Sequence, residues 1–400
     1  MQSLSVVIPA YNEEDGIVDI AQRVLAIRPA LREVGINELE LLVVDDGSSD
    51  ETAAIARQIE GVRLIQHPHN KGYGAALKTG FSHAQGELLA FLDADGTYPP
   101  EYFPQLCQAA RNGADLVVGS RRSGASSQMP AMRRLGNLIW SNLLTLLGNQ
   151  RIFDPASGMR VFKRTILSRL YPLPDGLNLT PVMSTRAVHE QIQMAEIAIP
   201  YSERLGRSKL SVVRDGTLFL QSIIWTALTY NPVRILGMMG LAAMALALLV
   251  VAGLVVTRLQ GVTTLEPWGV GLLFVGLVSG FVGISIFSLG IIFNYLVSLF
   301  YKQPVRQGLF GKPLLKRPLE HHFGWIGVVS LLVGLLVGVT SLVLGLNGWE
   351  IARLWLYLLG SAMLILTGTQ LLIYWIVLRV LAELSQREAL TQAHLVGEVA

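Results

Sequence analysis

The sequence predicts an α/β domain, a parallel-rich sheet flanked by helices, followed by a four-helix transmembrane domain. Three observations predict it. Of 400 residues, 51% are hydrophobic and only 15% charged, too apolar for a chain that is soluble throughout. Residues 1–230 hold 22 Lys and Arg and 23 Asp and Glu, whereas residues 231–400 hold only 10 and 6. Within the charged half, short apolar runs alternate with helix-like segments.

The runs are residues 4–8, 39–44, 62–65, 88–92 and 116–118, each of strand length. Between the first two, Ile17, Ile20, Ala21, Val24 and Leu25 recur at helical spacing. Such alternation implies a parallel sheet with right-handed crossovers, whose ligands gather at the carboxyl ends of the strands. Three polar clusters fall there: Pro9-Ala10-Tyr11-Asn12-Glu13, Asp45 through Asp50, and Asp93-Ala94-Asp95. They are expected to share one crevice. Asp93 and Asp95 stand beside Gly96, where the chain can turn sharply. A hard divalent ion held by one or two carboxylates and completed by substrate phosphates is the usual magnesium arrangement, so the set points to a nucleotide diphosphate ligand.

Other phosphate and metal motifs are missing. Gly72-Tyr73-Gly74 lacks the third glycine of a dinucleotide fingerprint and follows the loop His69-Asn70-Lys71, and no P-loop sequence occurs. His67, His69, His321 and His322 have no partners at zinc spacing and read as solvated loops. Nothing points to nucleic acid as a partner. The single cysteine, Cys107, sits in helix-like sequence and reads as a small buried hydrophobe.

Four stretches, 235–257, 268–297, 324–346 and 355–378, are long enough to cross about 30 Å of hydrocarbon. The loop between the second and third carries Lys302, Arg306, Lys312, Lys316 and Arg317, and the other two loops carry only Arg258 and Arg353. By the positive-inside rule the five-charge loop is cytoplasmic, and four spans return the tail 379–400 to the same side as the globular half. The chain opens on strand-like sequence without a basic region and long apolar core, so no cleaved signal peptide is expected. The expected layout is a cytoplasmic domain at 1–215, an interfacial juxtamembrane helix at 216–234, four spans within 235–378 and a cytoplasmic tail, anchored in a cell inner membrane. No Asp, Glu, Lys or Arg falls inside a span, which argues against an ion-coupled transporter.

Val6-Val7-Ile8-Pro9-Ala10-Tyr11-Asn12-Glu13, the Asp45-Asp46-Gly47-Ser48 turn and Asp93-Ala94-Asp95 resemble the family 2 glycosyltransferases of the GT-A fold. Within that family, residues 3–230 resemble the polyprenyl-phosphate sugar synthases, of the dolichol-phosphate mannose synthase and bacterial GtrB type. The resemblance implies that Pro9, Tyr11, Glu13 and one or both of Asp45 and Asp46 hold the nucleotide base and ribose, with Lys71 and Ala94 also lining the donor. It implies that Asp95 ligates Mg²⁺ or Mn²⁺, with Asp93 supporting the ion or touching the ribose. Thr97 stands where part of the family has a glutamine ligand, and Asp154, in Phe153-Asp154-Pro155-Ala156-Ser157-Gly158-Met159-Arg160, resembles the acidic residue near the acceptor.

Charge marks the acceptor side independently. Residues 1–110 carry 7 basic and 16 acidic residues, and residues 111–215 carry 15 and 7. The second part is built to meet an anion, whether a lipid phosphate or anionic headgroups. By resemblance, Arg121, Arg133 with Asn137, and Arg204 with Ser208 and Lys209 contact acceptor or donor phosphates, and Arg134 extends the same cluster. The apolar helices at 135–147, too short to span, and 216–230 suit the membrane interface. The expected reaction is inverting transfer of a hexose from a UDP- or GDP-sugar to a polyprenyl phosphate, in an enzyme for which a homo-oligomer is allowed. Two alternatives are a processive polysaccharide synthase, whose Gln-x-x-Arg-Trp motif this chain lacks, and a non-catalytic transporter or scaffold with a nucleotide-sugar-binding domain.

Overall fold

The computed structural model describes residues 2–122, 131–148, 150–201, 212–261, 267–301, 320–349 and 351–395. They form two compact units, Met1–Ala227 and Leu228–Ala400.

In the first unit, β1 (Gln2–Ala10) leads into α1 (Ile17–Ala26) and α2 (Arg28–Glu33), β2 (Ile36–Asp45) into α3 (Thr52–Gln58), β3 (Val62–Gln66) into α4 (Tyr73–His83), and β4 (Leu88–Phe91) into α5 (Phe103–Arg111). There follow β5 (Leu116–Ser120), α6 (Ala131–Leu147), β6 (Arg160–Lys163), α7 (Leu167–Leu170), α8 (Leu179–His189), β7 (Met194–Ala198) and α9 (Val212–Tyr230). The seven strands form one sheet in the order β3-β2-β1-β4-β6-β5-β7. The order steps outward from β1 in both directions, so the polypeptide reverses direction across the sheet at β1 and β4, where a crevice opens.

Among the described residues the sheet is parallel-rich as expected, with β6 as its one antiparallel strand. That strand runs antiparallel to both β4 and β5, while β1, β2, β3 and β4 pair in parallel and β7 pairs in parallel with β5. Placed antiparallel between two parallel strands, β6 brings the 153–159 segment that precedes it to the same edge as the ends of β4 and β5. The fold thus delivers four chain segments to one rim.

Side chains alternate across β1 as the pleat requires. Leu4, Val6 and Ile8 pack with Ile17, Ile20, Ala21 and Val24 of α1, and Val7 faces Ala76, Leu77 and Phe81 of α4. α4 lies so close that a Cβ on Gly80 would meet Val7 Cγ1 at 2.2 Å. Cys107 is fully buried in the α1 and α5 layer, where burial pushes its thiol up to about 12.

The second unit contains α10 (Pro232–Leu259), α11 (Pro267–Tyr301), α12 (Glu320–Leu346) and α13 (Ile351–Leu395). Each holds a stretch of 26 to 35 residues long and apolar enough to cross a membrane. Glycines bring the backbones together pairwise. A Cβ on Gly240 would lie 2.7 Å from the Gly283 carbonyl oxygen, and one on Gly368 would lie 2.7 Å from that of Gly327, the small-residue contact by which helices associate in lipid. Gln370 Nε2 donates to Ser285 Oγ at 2.6 Å and joins α13 to α11.

Candidate active site

The loops after β1 and β2 are sewn together by short polar side chains. Asn12 adopts φ +52°, a left-handed conformation that asparagine tolerates, and its Oδ1 accepts from the Ser49 amide at 2.9 Å. Its own amide donates to Ser48 Oγ at 2.9 Å, and the Glu13 amide donates to Thr52 Oγ1 at 2.8 Å. Pro9 and Ala94 are buried at the strand ends, and Tyr11 stands exposed at the rim.

Asp45 and Asp46 have different surroundings. Asp45 accepts from the Ser48 amide at 3.3 Å. Asp46 accepts from the Lys71 amide at 2.9 Å and the Gly72 amide at 2.8 Å, and its Oδ1 lies 2.7 Å from His67 Nδ1. The Asp46 carboxylate therefore organises the 67–72 loop at the head of α4, while the Lys71 side chain is exposed. His67 is not the solvated loop residue expected, because Asp46 and Thr79, whose Oγ1 is 2.9 Å from Nε2, enclose it. One residue past Gly72, the Tyr73 hydroxyl donates to Asp93 Oδ1 at 2.8 Å. Burial and the Asp93 charge hold that phenol well above its ordinary pKa, so it stays a donor at neutral pH.

Asp93 and Asp95 follow β4, both partly exposed. Thr97 is buried with its hydroxyl donating to Asp95 Oδ1 at 2.6 Å, and its amide reaches the same oxygen at 3.2 Å. Asp93 lies against Gly158, where a Cβ would meet its Oδ2 at 2.5 Å. Among the described residues no three of His, Cys, Asp and Glu cluster into a ready cage. Two hard carboxylates at an open rim fit an ion that takes part of its shell from a phosphorylated substrate.

A second cluster is built around Asp154, which is completely buried. Arg121 Nε donates to its Oδ2 at 2.8 Å and Nη2 to its Oδ1 at 2.7 Å, a bidentate fork. The Arg121 amide and Asn137 Nδ2 add bonds of 2.9 and 2.8 Å. Burial pushes the Asp154 carboxyl up, but the Arg121 charge and these donors outweigh it and hold the group below the usual carboxylate range. Tyr98 and Tyr201 flank the guanidinium, with ring centroids 5.8 and 5.5 Å from its carbon. Glu196 of β7 accepts from the Phe153 and Asp154 amides, and burial raises its carboxyl above the ordinary value.

Rim carboxylates and a clamped arginine meet known proteins at this point. Residues 5–171 match Glycosyl transferase family 2, and residues 232–392 match a domain of unknown function, DUF8752. An undecaprenyl-phosphate 4-deoxy-4-formamido-L-arabinose transferase of Photorhabdus laumondii is 31% identical over 303 residues, 74% of this chain and 89% of that protein. The chain belongs to glycosyl transferase family 2. A dolichyl-phosphate hexose transferase of Haloferax volcanii is 31% identical over 221 residues, 55% of this chain and 92% of that protein. The glucosyl-3-phosphoglycerate synthase of Mycobacterium tuberculosis, solved with Mn²⁺, uridine diphosphate and glucosyl-3-phosphoglycerate, is 23% identical, covering 57% of this chain and 80% of that one at a TM-score of 0.44.

In this family 2 glycosyltransferase the expected donor residues, Pro9, Tyr11, Glu13, Asp45, Asp46, Asp93, Ala94 and Asp95, lie along the ends of β1, β2 and β4. Arg121, Asn137 and Asp154 form one hydrogen-bonded group. Arg134 is exposed on α6. The Arg133 side chain and all of Arg204, Ser208 and Lys209 lie outside the described residues. Sequence reasoning missed Tyr73, Tyr98, Tyr201 and Glu196, each of which reaches the site from a distant element. For Tyr73 a signal existed in its two flanking glycines, which let α4 approach the 174–175 backbone: a Cβ on Gly74 would meet the Pro174 carbonyl oxygen at 2.2 Å.

Proposed function

We propose that this glycosyltransferase moves a hexose from a UDP- or GDP-sugar to a polyprenyl phosphate at the cytoplasmic membrane face, with inversion at the anomeric carbon. The observation that carries the reading is Arg121, aimed by the buried Asp154 carboxylate of the turn whose Gly158 packs against Asp93. A guanidinium fixed in this way is a phosphate grip. The relatives named for undecaprenyl-phosphate and dolichyl-phosphate transfer support the same acceptor.

A lipid phosphate oxygen attacks the anomeric carbon, the new carbon–oxygen bond forms as the bond to the nucleoside diphosphate breaks, and the diphosphate leaves with the electron pair. A phosphate monoester has a second pKa of about 6, so the acceptor is mostly dianionic at neutral pH and needs no general base. Asp154 is correspondingly occupied by four donors rather than open to a proton. Its work is to orient Arg121. Asp95, with Asp93, suits a bound Mg²⁺ or Mn²⁺, which offsets charge on the departing diphosphate; Thr97 holds Asp95 in place.

A lipid acceptor also accounts for the apolar surfaces of the first unit. On α6, Met132, Leu135, Ile139 and Leu146 are exposed at helical spacing, as is Trp225 on α9, and rows of this kind suit the membrane interface. The five basic residues between α11 and α12 support a cytoplasmic placement of that loop and of the catalytic unit.

The test is transfer of radiolabelled sugar from a panel of UDP- and GDP-sugars, UDP-linked 4-deoxy-4-formamido-arabinose included, to undecaprenyl phosphate by the purified full-length chain. A single-sugar lipid product is expected. Polymer formation points to a processive synthase, and donor binding without transfer points to a non-catalytic domain.

A further inference from the structure

Among the described residues Arg160 is the largest side chain that is completely buried, and nothing in the transfer chemistry above uses it. It begins β6, opposite Phe91 of β4 and Val118 of β5. Its Nε donates to the Ser157 carbonyl at 3.1 Å and its Nη2 to the Pro155 carbonyl at 2.7 Å. Ser184 of α8 donates to the same Pro155 oxygen at 2.9 Å. The remaining nitrogen, Nη1, is buried without a hydrogen-bond partner. Among the described residues no carboxylate lies within ion-pair distance of the group.

We propose that Arg160 is a positioning residue for the acceptor phosphate: from beneath the sheet edge it latches the 154–157 turn by two carbonyls, and through that turn it aims the Asp154–Arg121 clamp.

Geometry supports this from both ends of the turn. Glu196 fixes its entry by accepting the Phe153 and Asp154 amides. Arg160 fixes its exit by donating to the carbonyls of Pro155 and Ser157. Between the two, Asp154 accepts from Arg121 and Asn137. The Gly158 amide donates to the Tyr98 hydroxyl at 2.7 Å, and Tyr98 flanks Arg121, so the turn also sets one aromatic wall of the clamp.

Charge adds to geometry. Burial lowers the Arg160 pKa to about 10, against the favourable field of Asp154, so the guanidinium stays protonated at neutral pH. Arg121 pairs with Asp154, and Glu196 and Arg160 hold the two ends of the turn with opposite charges, so Arg160 offsets the Glu196 carboxylate within the same buried group.

The inference rests on the lipid-phosphate reading, and the experiment separates the two. Binding of farnesyl phosphate, of farnesol and of uridine diphosphate with Mn²⁺ is measured by titration calorimetry on the full-length protein, on Arg160→Lys and on Ser184→Ala. Lysine keeps the charge but lacks the planar fork that spans two carbonyls. Farnesyl phosphate affinity is expected to fall about tenfold in R160K and about threefold in S184A, with farnesol and nucleotide affinities within twofold of the unmodified protein. A merely structural arginine would lower the melting temperature and leave the phosphate-against-alcohol difference unchanged, and that outcome overturns the inference. Should R160K fail to fold, S184A decides: unchanged farnesyl phosphate binding overturns it equally. If the unmodified protein itself does not prefer farnesyl phosphate to farnesol, the acceptor reading fails first.

Discussion

Replacing Asp154 with asparagine strikes the clamp at its centre. The carboxylate accepts bonds of 2.7 to 2.9 Å from Arg121 Nη2, Nε and amide and from Asn137. An amide keeps one acceptor oxygen and turns an NH₂ group toward donors. Removing one partner of a buried pair costs about 3 to 5 kcal/mol. The Arg121 side chain retains 13% exposure, so water relieves part of this, and the lower end, about 3 kcal/mol, is expected. For a unit of this size each kcal/mol moves the melting temperature by about 2–4 °C, giving a loss of about 6–12 °C. The Asp154 pKa is depressed on folding, so its stabilisation is fully present above the ordinary carboxylate value and is lost only as pH falls through the lower folded value. Across neutral pH the deficit of Asp154→Asn is therefore flat. Loss of one charge-assisted bond's worth of aim at Arg121 corresponds to about 1.5–3 kcal/mol, a rise in acceptor KM of roughly 10- to 150-fold. Calorimetry of the purified protein and initial rates from pH 5 to 8.5 test both. The ascending limb near pH 6 belongs to the acceptor phosphate and persists in the mutant. Disappearance of that limb, with activity regained only at high pH, would make Asp154 the base and refute this reasoning.

Three further predictions concern the donor end and the membrane. Gly158→Ala places a Cβ 2.5 Å from Asp93 Oδ2, so the carboxylate must leave Tyr73; the Mn²⁺ concentration for half-maximal transfer should rise about tenfold, a loss of about 1.4 kcal/mol, and an unchanged requirement would separate Asp93 from the metal. Asp95→Asn should abolish metal-dependent transfer with little change in melting temperature, because the loss falls at a partly exposed rim; a folded mutant with full turnover would sink the assignment. Cys107 is buried with its thiol pushed up to about 12, a silent background for thiol labelling. Single cysteines at Gln260 and Asn347 should label from outside intact cells and one at Lys312 should not; the reverse pattern would invert the orientation.

Most strands that the sequence announced have partners on both faces. Residues 4–8, 39–44 and 88–92 are apolar-rich because α1 and α5 cover one side of them and α4 and α8 the other, while 62–65, at the sheet edge, is only partly buried. β6 escaped notice because its four residues begin with Arg160 and end with Lys163, and a charged residue at the start of an apolar run reads as the edge of a loop. β7 carries Glu196 at its midpoint and shows only partial burial. The candidate site divides along the same physical line. Asp93, Asp95, Arg121, Asn137 and Asp154 stand out in the sequence as polar groups in short, ordered motifs. Other supports do not: Tyr73 meets Asp93 from 20 residues away, and the Tyr98 hydroxyl meets the Gly158 amide from 60. His67 shows the mechanism of the error, since a histidine between Gln66 and Pro68 has every local mark of a solvated loop until Asp46, 21 residues earlier, closes over it. Local pattern registers which groups leave water, while the polar pairings that aim a catalytic carboxylate form only once the crossovers have set β1, β2, β4 and β6 side by side. A substitution at such a support should therefore alter ligand affinity at a motif residue it does not neighbour in sequence, as proposed for Arg160 and Arg121.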